Sequence, residues 1–296
     1  SLILGYLDDL GSLAGSESGD RRPREQLIQD NAVVRFLKDQ GYTIVALPSG
    51  YNPTTLRGSD IRPEMGRTWN ELEVRLLCST PIPWLAYRGS VFDPVAAHRQ
   101  KILFTLEHIA DTVSLPDQQF VFAHVLAPHG PFVFDENGNG IDLRGQFDLR
   151  DGVELDEFGQ PLEEDVLGYT GQLAFVNTKI RSVLEALIAQ SSRPTIVILQ
   201  SDHGPSWPLN MEEPGSARLR ERMSILNAYL LPGENRANLY EEITPVNTFR
   251  LIFNAYLGTD LELLEDRSYY STWAHPYRFV DVTDEVRAEG PLQATE

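Results

Sequence analysis

Thr195-Ile196-Val197-Ile198-Leu199-Gln200-Ser201-Asp202-His203-Gly204-Pro205 is an apolar, largely β-branched run that stops at an adjacent carboxylate and imidazole. The run predicts a buried strand, and its end would deliver Asp202 and His203 to the rim of a sheet, where open α/β folds build their sites. Asp oxygen and neutral His nitrogen both suit a borderline divalent cation. Gly204-Pro205 turns the backbone away so that the two side chains can face one point. On the dipeptide alone the plainer reading is that Asp202 caps a turn and His203 packs against the sheet.

A second segment shifts the balance. Phe120-Val121-Phe122-Ala123-His124-Val125-Leu126 predicts another buried strand, which runs straight into Ala127-Pro128-His129-Gly130-Pro131-Phe132, a punctuated polar turn. Both strands thus end near histidine, and three of the chain's 6 histidines fall in these two places. That clustering favours a metal or phosphate-handling site over three independent core histidines.

The pairing of a His-Gly-Pro turn with a later strand ending in Asp-His-Gly resembles the alkaline phosphatase/sulfatase superfamily. It is closest in pattern to the membrane-associated sulfatase-like branch that includes phosphoethanolamine transferases and lipoteichoic acid synthases. The order of elements resembles it too: a helix and strand over residues 31–47, a long helix over 168–190 before the Asp-His strand, and a returning strand within 222–233 ending in Leu-Pro-Gly. The resemblance implies a three-layer α/β/α sandwich with a mostly parallel central sheet. It implies a metal-dependent hydrolase or transferase acting on phosphate or sulfate esters. Asp202 and His203 would be metal ligands, His129 would sit beside the transferred group or on a second metal, and His124 matches a further histidine of the phosphoethanolamine transferases. The ion would be zinc or manganese by preference, with calcium or magnesium allowed. The substrate would be a small-molecule, lipid or glycan ester, and the setting the extracytoplasmic face of a bacterial or archaeal membrane.

The departures matter as much. Relatives carry another acidic metal ligand on their first strand and a Thr, Ser or modified Cys nucleophile at a helix start, and neither is identifiable here. The chain opens at Ser1-Leu2-Ile3-Leu4-Gly5-Tyr6, which resembles the stretch after the nucleophile helix. The expectation is therefore an N-terminally incomplete catalytic domain over residues 1–283, inactive as it stands, with an acidic tail at 284–296 and any membrane attachment through the missing segment. Cys78-Ser79-Thr80-Pro81-Ile82 lacks the Cys-x-Pro-x-Arg pattern that formylglycine formation needs, and the stretch 209–216 lacks the second metal-site histidine of the phosphoethanolamine transferases. The alternative is a non-catalytic sulfatase-like module that binds a phosphate-bearing or glycan partner.

Composition fits one globular α/β domain. The chain has 296 residues with 42% hydrophobic content, enough for a large core, and no linker divides it. A net charge of −18 argues against nucleic acid or an anionic membrane surface as an electrostatic partner, and a phosphate ester would need a cation to overcome that field locally. One cysteine excludes an intramolecular disulfide. No apolar run approaches the roughly 20 residues that span a bilayer.

Periodicity predicts a helix from about Gln26 with Ala32, Val33, Phe36 and Leu37 on one face, ended by Gly41 before a strand at Thr43 to Leu47. Residues 48–92 read as an irregular connection or a lid. A helix from Pro94 to Thr112 would bury His98 beside Ile102 as a structural histidine. Asp135 to Asp142 superficially suggests calcium but fails the loop pattern, with Gln146 where a glutamate is needed, so a Gly/Asn-rich hairpin is the simpler reading. A long helix from Gln172 would present Leu173, Val176, Ile180, Leu184, Leu187 and Ile188. One at Pro245 to Leu257 would turn Val246, Phe249, Ile252 and Phe253 inward. Arg222 is read as solvated.

Overall fold

The computed structural model describes residues 2–65, 76, 93–115, 118–143, 147, 163–205, 219–233, 238–272 and 274–288. Cys78, the stretch 209–216, most of the 48–92 connection, much of the acidic loop that follows the 135–142 turn and the end of the acidic tail lie outside them. In chain order the helices are α1 (Asp8–Ala14), α2 (Arg22–Gln29), α3 (Ala32–Asp39), α4 (Pro94–His108), α5 (Glu163–Gln190), α6 (Leu219–Met223), α7 (Pro245–Tyr256) and α8 (Thr283–Arg287). The strands are β1 (Thr43–Ala46), β2 (Gln119–Phe122), β3 (Val197–Gln200), β4 (Asn227–Leu230), β5 (Tyr269–Tyr270) and β6 (Val280–Asp281). Contacts divide the chain into two compact units, one of residues 1–39, 157–160 and 192–296, the other of 40–156 and 161–191. No helix of the described residues is long and apolar enough to cross a membrane.

In the unit that begins at residue 40, β1 and β2 pair in parallel, Thr43 opposite Gln119 through Ala46 opposite Phe122. A parallel pair needs a crossover, and α4 lies on it. Asp93 starts that helix by accepting the Val95 and Ala96 amides, with Pro94 at the first helical position where no N–H is required. The core is Ile102 and Leu106 of α4 against Val133, Phe134, Phe175 and Val176. The predicted strand from Phe120 to Leu126 is shorter in the structure because β1 offers only four residues to pair with. His124 therefore lies past the strand rather than within it.

In the other unit, β3 and β4 pair antiparallel, Val197 opposite Leu230 through Gln200 opposite Asn227. A strand does form where the β-branched run predicts one, but all four of its residues are half-buried rather than buried, because β4 alone pairs with it among the described residues; β4 is the returning strand expected within 222–233. The predicted first helix is two helices, because the buried Asn31 uses its side-chain oxygen to accept the Val34 amide and its side-chain amide to donate to Ile28 O. Asn31 thus caps α3 and divides the predicted helix there. Gly41 does end the pattern, with φ +83°. All four inward residues predicted for α7 are buried, and Phe253 stacks on Phe36 of α3 with ring centroids 4.5 Å apart. Among the described residues every sheet has two strands.

Candidate active site

At the end of β3 the chain enters the turn that carries Asp202 and His203. The turn is fixed from both sides: Ser201 N donates to Leu226 O, and Gly204 N donates to Arg222 O at 2.8 Å. Gly204 lies flat on α6. A Cβ built there would stand 2.0 Å from the Glu221 carbonyl oxygen and 2.9 Å from that of Ser224, so the close approach requires glycine. Gly204→Ala is expected to cost about 2 kcal/mol, since backbone rather than a flexible side chain must yield, and chemical denaturation of wild type and variant measures it.

The carboxylate and imidazole come together. His203 Nε2 is 3.5 Å from Asp202 Oδ2, with side chains 31% and 74% exposed, so both donors are open to solvent. Two donors held about 2.1 Å from one tetrahedral ion stand roughly 3.4 Å apart, and the observed separation matches that spacing. Asp202 Oδ1 meanwhile accepts the His203 amide at 3.0 Å, the turn-capping role that the plainer reading gave it. Capping uses one carboxylate oxygen and leaves the other facing Nε2.

His203 Nδ1 has two neighbours, Gly204 O at 2.8 Å and Arg222 Nη1 at 2.6 Å. The two contacts demand different tautomers. With the proton on Nδ1 the ring donates to Gly204 O and Nε2 is free to bind a cation, the orientation that carbonyl partners give metal-ligating histidines. With Nδ1 accepting from Arg222, the proton moves to Nε2 and the ring can only donate to Asp202. Arg222 is therefore a site neighbour and not the solvated side chain that its sequence position suggests. Nothing in the spacing between residues 203 and 222 signals this, because α6 returns the arginine through tertiary structure.

His124 and His129 belong to the other compact unit. His124 Nδ1 is 2.7 Å from Thr54 Oγ1, and the Tyr51 ring meets the imidazole edge-on with centroids 6.2 Å apart. Thr54 is itself held by Ser49 Oγ at 3.1 Å and by Tyr51 O at 3.2 Å, so the hydroxyl fixes the orientation of the ring. His129 begins the His-Gly-Pro turn, whose Ala127-Pro128 and Gly130-Pro131 bonds are both cis, and its Nδ1 faces Gly130 O. The following residues form a tight hairpin with Phe134 bridged to Gly140, in which Asp135 Oδ1 accepts the Asn137 and Asn139 amides. Those bonds hold the Asp135 carboxyl below its usual range, the Asn139 side chain contributing most. This is the Gly/Asn hairpin expected in place of a calcium loop.

His98, set aside in the sequence as structural, is buried at 3% exposure with its ring edge-on to Phe147. Among the described residues no group of three or more His, Cys, Asp or Glu side chains is placed to hold an ion. The described residues thus bring two possible donors together, Asp202 and His203, and no third. A family model described as Sulfatase matches residues 67–251, a span that includes Asp202, His203, His124 and His129. No curated protein and no solved structure matches the chain.

Proposed function

Because the chain belongs to the sulfatase family, whose activity is on sulfate or phosphate esters, we propose that it is the catalytic domain of a metal-dependent hydrolase or transferase for such esters, with Asp202 and His203 as metal ligands and His129 and His124 serving the transferred group. The observation that carries this reading is the 3.5 Å approach of His203 Nε2 and Asp202 Oδ2 at the end of β3, inside the matched span. Members of the family generally use a divalent metal, and the Asp/His donor set suits zinc or manganese better than calcium or magnesium. Bound there, the ion would polarise the nonbridging oxygens of the ester and lower the pKa of the attacking group.

The chain's own side chains would do the rest. Asp202 supplies negative charge against the cation, and His203 supplies neutral nitrogen once its proton rests on Nδ1 against Gly204 O. In that tautomer Nδ1 cannot accept from Arg222, whose guanidinium would turn its planar fork to the oxygens of a phosphate or sulfate group. His129 and His124 would donate to the leaving oxygen or to the charged equatorial oxygens. The α/β/α sandwich, the membrane-associated branch, an extracytoplasmic setting and a lipid or glycan phosphate ester as substrate are parts of the same proposal, supported by the order of elements and by the His-Gly-Pro and Asp-His-Gly motifs.

The test assays the natural full-length protein against an aryl phosphate, an aryl phosphodiester and an aryl sulfate, with zinc or manganese and with a chelator. Chelator-sensitive turnover of at least one ester is the expected result. Silence on all three, with metal bound, would replace the enzyme reading by that of a binding module.

A further inference from the structure

Gln172 sits in α5, fully buried. A glutamine leaves solvent at low cost only when its amide is used in full. Here Oε1 accepts the Val133 amide at 2.8 Å and the Phe134 amide at 3.3 Å, while Nε2 donates to His129 O at 3.1 Å. One side chain thereby grips the backbone on both sides of Gly130-Pro131-Phe132, the turn that His129 opens.

The same face of α5 sets the rest of the turn by packing. A Cβ on Gly168 would stand 2.7 Å from the Phe132 ring, so the missing side chain admits that ring, and Phe175 packs on Phe134 with centroids 4.7 Å apart. Positions 168, 172 and 175 lie on three successive turns of a single helix face. The two flanking contacts are ring packing, which tolerates small slides. The Gln172 amide is directional and reaches the residue that carries the imidazole.

We infer that Gln172 is a positioning residue, setting the His129 backbone and through it the imidazole; the inference rests on the role given to His129 in the proposed function. A leucine would fill the same volume but would strand two buried amides and release the His129 carbonyl. Catalytic groups lose rate when displaced by fractions of an ångström, so the effect should fall on the chemical step rather than on substrate binding.

The experiment is a double-mutant cycle in the natural full-length protein, using whichever of the three aryl esters gives chelator-sensitive turnover. Gln172→Met keeps the length of the side chain but neither accepts from the Val133 and Phe134 amides nor donates to His129 O; Gln172→Asn, a methylene shorter, keeps the amide but cannot reach both sets of partners and is the second variant. Expected, at a temperature where each variant is fully folded, are a kcat about tenfold lower with KM within about twofold and no further loss when the substitution is added to His129→Ala. Unchanged kcat in the Gln172 variants while His129→Ala is inactive would overturn the inference alone, as would losses that multiply in the double variant or that follow the melting temperature. Full activity in His129→Ala would instead overturn the role of His129, and the inference with it.

Discussion

Replacing His203 by alanine in the natural full-length protein is expected to weaken zinc or manganese binding and to cut ester turnover more than about a hundredfold. The estimate follows from ligand rank: partners that only orient a metal-bound group typically cost 10–100-fold when lost, and His203 would touch the ion itself. Asp202→Ala should act in the same direction, and Asp202→Asn should separate charge from shape, since the amide keeps the oxygen that caps the turn at His203 N. The geometry makes the pair cooperative. Each donor is placed by the same turn, which is clamped at Ser201 N and Gly204 N, so loss of either leaves the other at its post but with half of the local donor set. Calorimetric titration of metal into wild type and the three variants decides the matter. Equal affinity in all four proteins would remove Asp202 and His203 from the metal site, whatever their motif resembles.

The β3 strand and its Asp-His turn are legible in sequence for local reasons. A β-branched run can bury as a strand, and Gly204-Pro205 cannot continue it. The inward face of α7 is legible because four apolar residues share one stripe at helical spacing. Elsewhere the local signal competes with a tertiary one. Asn31 lies inside the predicted helix, just before its apolar face, yet it is a strong capping residue, and the cap divides the helix there. β2 ends at Phe122 although Ala123, Val125 and Leu126 beyond it are apolar, because a strand is only as long as its partner. The predicted face of α5 includes Val176 and Ile180, which do join the core, but Gln172 is more buried than either and lies on the side that meets the His-Gly-Pro turn. A polar residue of that kind is invisible to a hydrophobic pattern. Arg222 is hidden for the same reason. Both side chains act on residues far along the chain, and no spacing encodes such partners.

The plain reading of His98 as a buried structural histidine leads to a distinct result in acid. Burial, then the electrostatic influence of the neighbouring Lys101 and His129, pushes its imidazole down to about 4. Nε2 has no hydrogen-bond partner among the described residues, so a proton added there would be buried without compensation. The sign follows from the depressed value. In the unfolded chain the ring takes a proton below about 6.5, whereas in the fold it resists until about 4, so the unfolded state binds more protons between those limits. The stability that His98 contributes is therefore complete above pH 6.5 and is lost as pH falls through 4. The displacement corresponds to roughly 3 kcal/mol across that window, which is a large share of the 5–15 kcal/mol typical of a domain. His98→Leu keeps an apolar side chain of similar bulk between Phe147 and the α4 core and removes the titration. Urea midpoints of wild type and His98→Leu, taken at several pH values from 7.5 to 4, should converge or cross as the solution becomes acid, because every other titrating group is shared by the two proteins. Parallel curves would mean that the ring finds a proton acceptor in the fold and that its burial carries no acid sensitivity.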